Sequence, residues 1–176
     1  MSDSAQTAIA HAITSMRDFY ADNPGQAVSR DSTARARLVE GLKIAVDGPN
    51  GWAVTTDMAT AVGGHESAPS PGWLLRAAVV SCDAVVIAMQ AAEEGITLTT
   101  LEAEIVSESD GRGLVGGADV PAGPLRMILD LRLAADGMGP PELEALVERA
   151  LRRSPVSEAL GRVVPIDVTV HVPEPS

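Results

Sequence analysis

From Trp73 to Ala92 the chain is almost continuously apolar, interrupted by only three charged or amide side chains, Arg76, Asp83 and Gln90. Ser70-Pro71 stands just ahead of this stretch, with Ser as an N-cap and Pro at the first helical position. A helix is therefore expected from Pro71 to about Glu94, stopping at Gly95. Leu74, Leu75, Ala77, Ala78, Val79, Val80, Ala84, Val85, Val86, Ile87, Ala88 and Met89 ring it nearly all round. A helix of that kind is buried on most faces, so everything else must be arranged to cover it. Arg76 and Asp83 argue against a bilayer span, which wants about 20 apolar residues with few or no charges. Met1 to Ala10 lacks the basic and apolar regions of a signal peptide. A cytoplasmic location without a membrane partner is the expectation.

The cover can be read from periodicity. Residues 5–21 place Ala8, Ile9, Ala12, Ile13, Met16, Phe19 and Tyr20 at helical spacing, and Asn23-Pro24-Gly25 ends the run. Three strands are expected over 34–39, 42–46 and 52–56, the last two joined by the turn Gly48-Pro49-Asn50-Gly51. Residues 59–69 read as a flexible loop leading to the central helix. After it come a strand from Ile96 to about Ser109, a glycine-rich loop, and a strand in which Leu125, Met127, Leu129, Leu131 and Leu133 share one face. Residues 141–153 form a second amphipathic helix, with the stripe Leu143, Leu146, Val147, Ala150 and Leu151. Ser154-Pro155 then caps a short helix, Val156 to Leu160. Val164, Ile166, Val168, Val170 and Val172 complete the pattern with strict period 2, which predicts a last strand. The fold class is α+β, with a largely antiparallel sheet and helices gathered on one face.

Composition narrows the partners. Acidic residues outnumber basic ones 24 to 13, for a net charge of −11. Such a chain repels nucleic acid and anionic lipid. Cys82 is the only cysteine in the 176 residues, so no disulfide forms within one chain and no multi-cysteine metal site exists. His11, His65 and His171 have no ligand spacing, so neither metal nor cofactor is expected. The loop Ser109-Asp110-Gly111-Arg112-Gly113 lacks the strand–glycine–helix context of a phosphate site. Of the 13 basic residues, Lys43 is the only lysine, a bias consistent with a GC-rich bacterial genome.

Two segments together resemble the osmotically inducible protein C / organic hydroperoxide resistance family (OsmC/Ohr). The first is Ser70-Pro71-Gly72-Trp73 running to Ser81-Cys82, similar to the family's Ser- or Asn-Pro opening of a central helix that carries a reactive cysteine. The second is Arg153-Ser154-Pro155-Val156-Ser157, similar to the family's Cys-Pro segment after its second helix. The resemblance spans roughly residues 34 to 172. It implies an OsmC-like domain over 34–176, preceded by an N-terminal helix and connector over 1–33. It also implies an intertwined homodimer with central helices packed together and sites at the subunit interface. Peroxidase members use the central thiolate, a second cysteine that resolves the sulfenic acid, and an Arg and a Glu beside the thiolate.

This chain departs from that pattern at two places. Ser154 occupies the second-cysteine position, and Gly72 stands where the family has its Glu. A two-cysteine cycle is therefore excluded. Two readings of function remain. In the first, Cys82 is a one-cysteine thiol peroxidase acting on small organic hydroperoxides and regenerated by an external thiol reductant. In the second, the protein is non-catalytic and binds a small apolar molecule at the dimer interface, with Cys82 as a small core residue.

A reactive thiolate needs stabilising, since a free Cys titrates near pH 8.5. The helix dipole fades within one turn and does not reach Cys82. Arg76 is about 9 Å away along the axis. The resemblance places the cation among Arg30, Arg35 and Arg37. His65 and Glu66, in the loop before the helix, are the nearest titratable pair, and Glu66 is a stand-in for the missing carboxylate or simply solvated. Ser154 reads as an N-cap before Pro155, as a remnant of the site, or as both. Trp73 reads as an interface anchor or as the wall of an apolar pocket.

Overall fold

The computed structural model describes residues 3–117, 119–162 and 164–172. An N-terminal helix, α1 (Asp3–Asp22), precedes a meander of three antiparallel strands, β1 (Arg35–Glu40), β2 (Lys43–Asp47) and β3 (Ala53–Thr56). The central helix α2 (Pro71–Glu93) follows, then the long strand β4 (Leu98–Ser109), a single helical turn α3 (Gly111–Leu114) and the strand β5 (Pro124–Ala135). Helices α4 (Pro140–Leu151) and α5 (Pro155–Gly161) complete the described elements. This is the expected α+β class, with every strand pair antiparallel and the strands divided between two sheets.

Local signals account for most boundaries. The β2–β3 turn needs left-handed backbone at two successive residues, and Asn50 (φ 59°) and Gly51 (φ 77°) adopt it at little cost. Ser70 Oγ accepts the Trp73 N–H at 3.2 Å and so caps α2. Glu142 reaches back to the Gly139 N–H at 3.1 Å and closes the first turn of α4. In β5 the leucine face holds where it meets the helices: Leu129, Leu131 and Leu133 are half-buried, while Asp130 and Arg132 face solvent. Opposite them on β4, Glu102 pairs with Arg132 at 3.4 Å.

The core lies where the C-terminal half of α2 meets α4 and the β4–β5 ribbon. Val86, Ile87, Ala91, Leu98, Leu146 and Ala150 are buried there, with Leu101, Leu131, Leu133 and Leu143 packed against them. Charged side chains bind the ends of these helices together. Glu93 of α2 pairs with Arg17 of α1 and with Arg153 beyond α4, and Glu94 receives Arg149 of α4 in two bonds of 2.7 and 2.8 Å.

Three expectations need correcting. The alternating segment of residues 164–172 forms no strand, and Ile166, Val168, Val170 and Val172 stand 76–85% exposed. Alternation prepares a segment for a sheet edge but cannot supply one, and among the described residues this segment pairs with no strand. The central helix is not buried on most faces: one side carries the buried residues Val79, Asp83, Val86, Ile87, Ala91 and Ala92, while Val85 on another is 56% exposed. A single chain of this length covers only one side of it. The loop before α2, read as flexible, is instead tied together around Asp57.

Candidate functional site

Cys82 lies at the middle of α2, and Ser154 lies in the joint between α4 and α5. Packing of α4 and α5 against α2 brings them together across 72 residues of sequence, with Ser154 Oγ 3.4 Å from Cys82 Sγ. The position that resembles the family's second cysteine thus does face the thiol. Ser154 is also an N-cap: its Oγ accepts the Ser157 N–H at 3.3 Å.

Two further side chains complete the cluster, and sequence reasoning missed both as site residues. Asp83, only 2% exposed, takes the Ser154 hydroxyl at 2.5 Å on Oδ1. The Ser157 hydroxyl lies 2.8 Å from Oδ1 and 3.0 Å from Oδ2 of the same carboxylate. A serine oxygen has one proton to give and two lone pairs. With the Ser154 proton committed to Asp83 at the shorter distance, its lone pairs are open to the Ser157 N–H and the Cys82 S–H. The thiol, hydroxyl and carboxylate are thereby joined in series, and Ser154 itself is fully buried. The signal for Asp83 was present in the sequence: an acid in a long apolar helix is a buried charge and needs partners.

The remaining expected site residues are not gathered at the thiol. Arg30, Arg35 and Arg37 are exposed, in and just before β1, and Arg37 sits 4.0 Å from Asp47. Arg76 spans from α2 to β4, donating to Ser107 Oγ at 3.0 Å. Glu66, at φ 52°, accepts from the Thr60 N–H and hydroxyl at 3.2 and 3.3 Å. Among the described residues, no hydrogen bond joins His65 or Glu66 to Cys82. Gly72 faces open space: a Cβ there would meet nothing nearer than Ser70 Oγ at 3.8 Å. Trp73 is half exposed at the mouth of a groove of about 790 Å³ between α2 and β4, which also takes in Ala77, Val80, Ile105 and Val106. Cys82 does not line that groove.

Asp57 organises the approach to α2. Its carboxylate, 1% exposed, accepts the backbone N–H groups of Met58, His65 and Ser67 and the Ser67 hydroxyl at 2.8 Å. These bonds, the Ser67 hydroxyl first, lower its pKa to about 2 despite burial. Gly64 lets the loop close: a Cβ there would fall 1.9 Å from the Met58 carbonyl oxygen.

A helical core carrying a single thiol, packed on an antiparallel ribbon and closed by a serine on a second helical joint, defines an α+β thiol-site protein of the kind the two sequence segments resemble. The family model for OsmC-like proteins matches residues 64–169, and the chain belongs to that family.

Solved structures share the fold. The chain is 22% identical to an organic hydroperoxide resistance protein OsmC from Legionella pneumophila, at a TM-score of 0.58, over 76% of this chain and 90% of that one. An OsmC-like protein from Mycoplasma pneumoniae superposes at a TM-score of 0.64 with 14% identity, over 77% and 91% of the two chains. An organic hydroperoxide resistance protein from Elizabethkingia anophelis gives 0.53 at 18% identity, over 75% and 89%. No curated protein sequence matches the chain.

Proposed function

We propose that this protein is a homodimeric OsmC-like thiol peroxidase working with one cysteine, in which Cys82 reduces small organic hydroperoxides. The observation that carries the reading is the meeting of Cys82 with Ser154 at 3.4 Å, which keeps the geometry of a two-residue thiol site while removing its second sulfur. Sulfur attacks the peroxide and the O–O bond breaks. Cys82 is oxidised to the sulfenic acid, and the peroxide leaves as an alcohol that takes up the thiol proton. No resolving thiol stands within the chain, so an external thiol condenses with the sulfenic acid, releasing water. A second external thiol then displaces the mixed disulfide and restores Cys82.

Accessible area supports the homodimer. One chain exposes 12463 Å², whereas a compact chain of 18.2 kDa exposes about 8,100 Å². The excess is apolar in part: Leu38, Val39, Trp52, Trp73 and Val85 are all exposed. A second copy is the partner that covers them. The cation required by a thiolate then comes from Arg30, Arg35 or Arg37 of the meander. In this reading residues 34–176 are the OsmC-like domain, residues 1–33 are appended to it, and the protein works in the cytoplasm.

The apolar groove between α2 and β4 favours a second reading, binding of a small apolar molecule without chemistry. One experiment separates the two. Purified protein is treated with cumene hydroperoxide, and Cys82 is examined by mass spectrometry with a sulfenic-acid trap, then in turnover with added dithiol. Peroxidase action predicts one added oxygen on Cys82 and alcohol formation that Cys82→Ser abolishes. A thiol left intact by excess peroxide overturns it.

A further inference from the structure

The buried carboxylate beside the thiol has no use in the cycle just described, and among the described residues no cation is bonded to it. Asp83 is held by two hydroxyls, from Ser154 and Ser157, at 2.5 to 3.0 Å. The arginines on the elements packed against α2 are engaged elsewhere. Arg17 of α1 pairs with Glu93, Arg149 of α4 with Glu94, and Arg153 beyond α4 with Glu93 and Gln90. Arg152, just beyond α4, pairs with Glu148, and Glu158 of α5 pairs with Arg162. On α2 itself Arg76 is drawn to Ser107 of β4, a strand whose own charges, Glu102, Glu104 and Glu108, are all acidic.

We infer that Cys82 and Asp83 act as one ionising unit through the Ser154 hydroxyl, carrying a single negative charge between them, so that Asp83 is the brake on thiolate formation in this protein. The proton geometry requires little else. While Asp83 is ionised it takes the Ser154 proton, and Ser154 can only accept from sulfur; the thiol keeps its proton. For sulfur to become a thiolate bonded to Ser154, that hydroxyl must turn its proton toward Sγ, and Asp83 then loses its closest donor or gains a proton itself. Two negative charges so close together, one of them on a buried carboxylate, repel each other, so ionising one opposes ionising the other. Proton transfer along the series, from sulfur to Ser154 and from Ser154 to Asp83, balances in charge and atoms but runs uphill, because a thiol is a weaker acid than a carboxyl, so the single charge rests on Asp83 and sulfur keeps its proton. Asp83 is a positioning residue here, acting through Ser154 without touching the peroxide.

The inference rests on Cys82 being the reacting thiol of the proposed function, but its test uses no peroxide. The rate of alkylation of Cys82 by iodoacetamide is followed against pH in the wild-type protein and in Asp83→Asn. Removing the carboxylate moves the midpoint of the profile to lower pH by about one unit or more, raising the rate at pH 7 about tenfold. A merely structural role for Asp83 would change unfolding without moving the midpoint in the folded variant. Asp83→Leu, an apolar replacement, shifts it in the same direction and decides the matter if the Asn variant does not fold.

In the wild-type protein, ¹³C shifts of the Cys82 Cβ and the Asp83 carboxyl titrate together. Midpoints unchanged or raised in the folded variants, or two independent titrations, overturn the coupling. A thiol that shows the shift yet ignores cumene hydroperoxide removes the peroxidase reading alone. An oxidisable thiol indifferent to Asp83 removes this inference alone.

Discussion

The part of the molecule built on α2 and the part built from the β1–β3 meander and residues 164–172 are alike in apolar content and opposite in what they bury. In the first, Ile87, Ala91, Leu146 and Ala150 are sealed from solvent. In the second, every residue of β1 is exposed, and the alternating valines of the C-terminal segment point into water. Both satisfy the period rules of their elements, so periodicity is not what separates them. The helical part has its complement within the same chain, whereas the meander and terminal segment leave their apolar side chains uncovered by it. Interior burial stabilises the fold of one copy; in the proposed homodimer the exposed apolar strands are the surface on which another copy docks.

The contrast is tested most severely in the core. Leu146→Ala removes a fully buried side chain between α4 and α2 and is expected to cost about 3 kcal/mol, read from urea unfolding. Leu38→Ala in β1 is expected to cost less than about 0.5 kcal/mol under dilute, monomeric conditions. Equal costs at every protein concentration would erase the distinction. The proposed second copy is probed next with Ile166→Asp. Burial of an isoleucine is worth about 1.5–3 kcal/mol, so the charge is expected to weaken self-association at least tenfold in sedimentation equilibrium. An unchanged association constant would show that the segment stays solvated in the assembly.

What could be read in advance follows the same division. The elements of the helical part were legible because their signals are local: Ser70-Pro71 starts α2, and the stripe Leu143, Leu146, Val147 and Leu151 orients α4. The terminal strand was misread because its valines encode a face without naming the edge it meets. At the site, Cys82 and Ser154 were legible from the two resembling segments, while their partners were not. Asp83 was passed over as an interruption of an apolar helix, and Ser157 as part of a short capped turn. Asp57, which orders the loop before α2, sits in a stretch without periodicity, and its value lies in bonds to Met58, His65 and Ser67 that no pattern announces.

The start of α2 offers smaller effects, because it belongs to neither extreme. Ser70→Ala removes the hydroxyl that caps the helix and is expected to lower stability by about 1 kcal/mol in thermal or urea unfolding. The Asp57 contribution has a pH signature instead. Its folded pKa, about 2, lies below that of an unfolded aspartate, so the folded state binds this proton less readily. Its stabilisation is therefore complete above about pH 4. It is lost as pH falls through 2. The protection of the amides across residues 57–69, relative to their intrinsic exchange rates at each pH, is expected to fall over that window in the wild-type protein. Asp57→Asn should show fast exchange already at neutral pH, and a loop equally protected in the variant would show that Asp57 does not hold it.

The least perturbing change is Gly72→Ala, in the first turn of α2. A glycine there spends backbone entropy on folding and contributes no contact, since its surroundings are open out to Ser70 Oγ. Alanine meets no steric obstacle and restricts the unfolded chain, so a gain of about 0.5 kcal/mol is expected in urea unfolding. This position also tests whether the two parts of the molecule meet at the head of the central helix. If the second copy packs directly over residue 72, even a methyl group will strengthen folding of the isolated chain while weakening self-association. A variant that gains stability and keeps its association constant places the copy elsewhere along α2, beside Val85 rather than over Trp73.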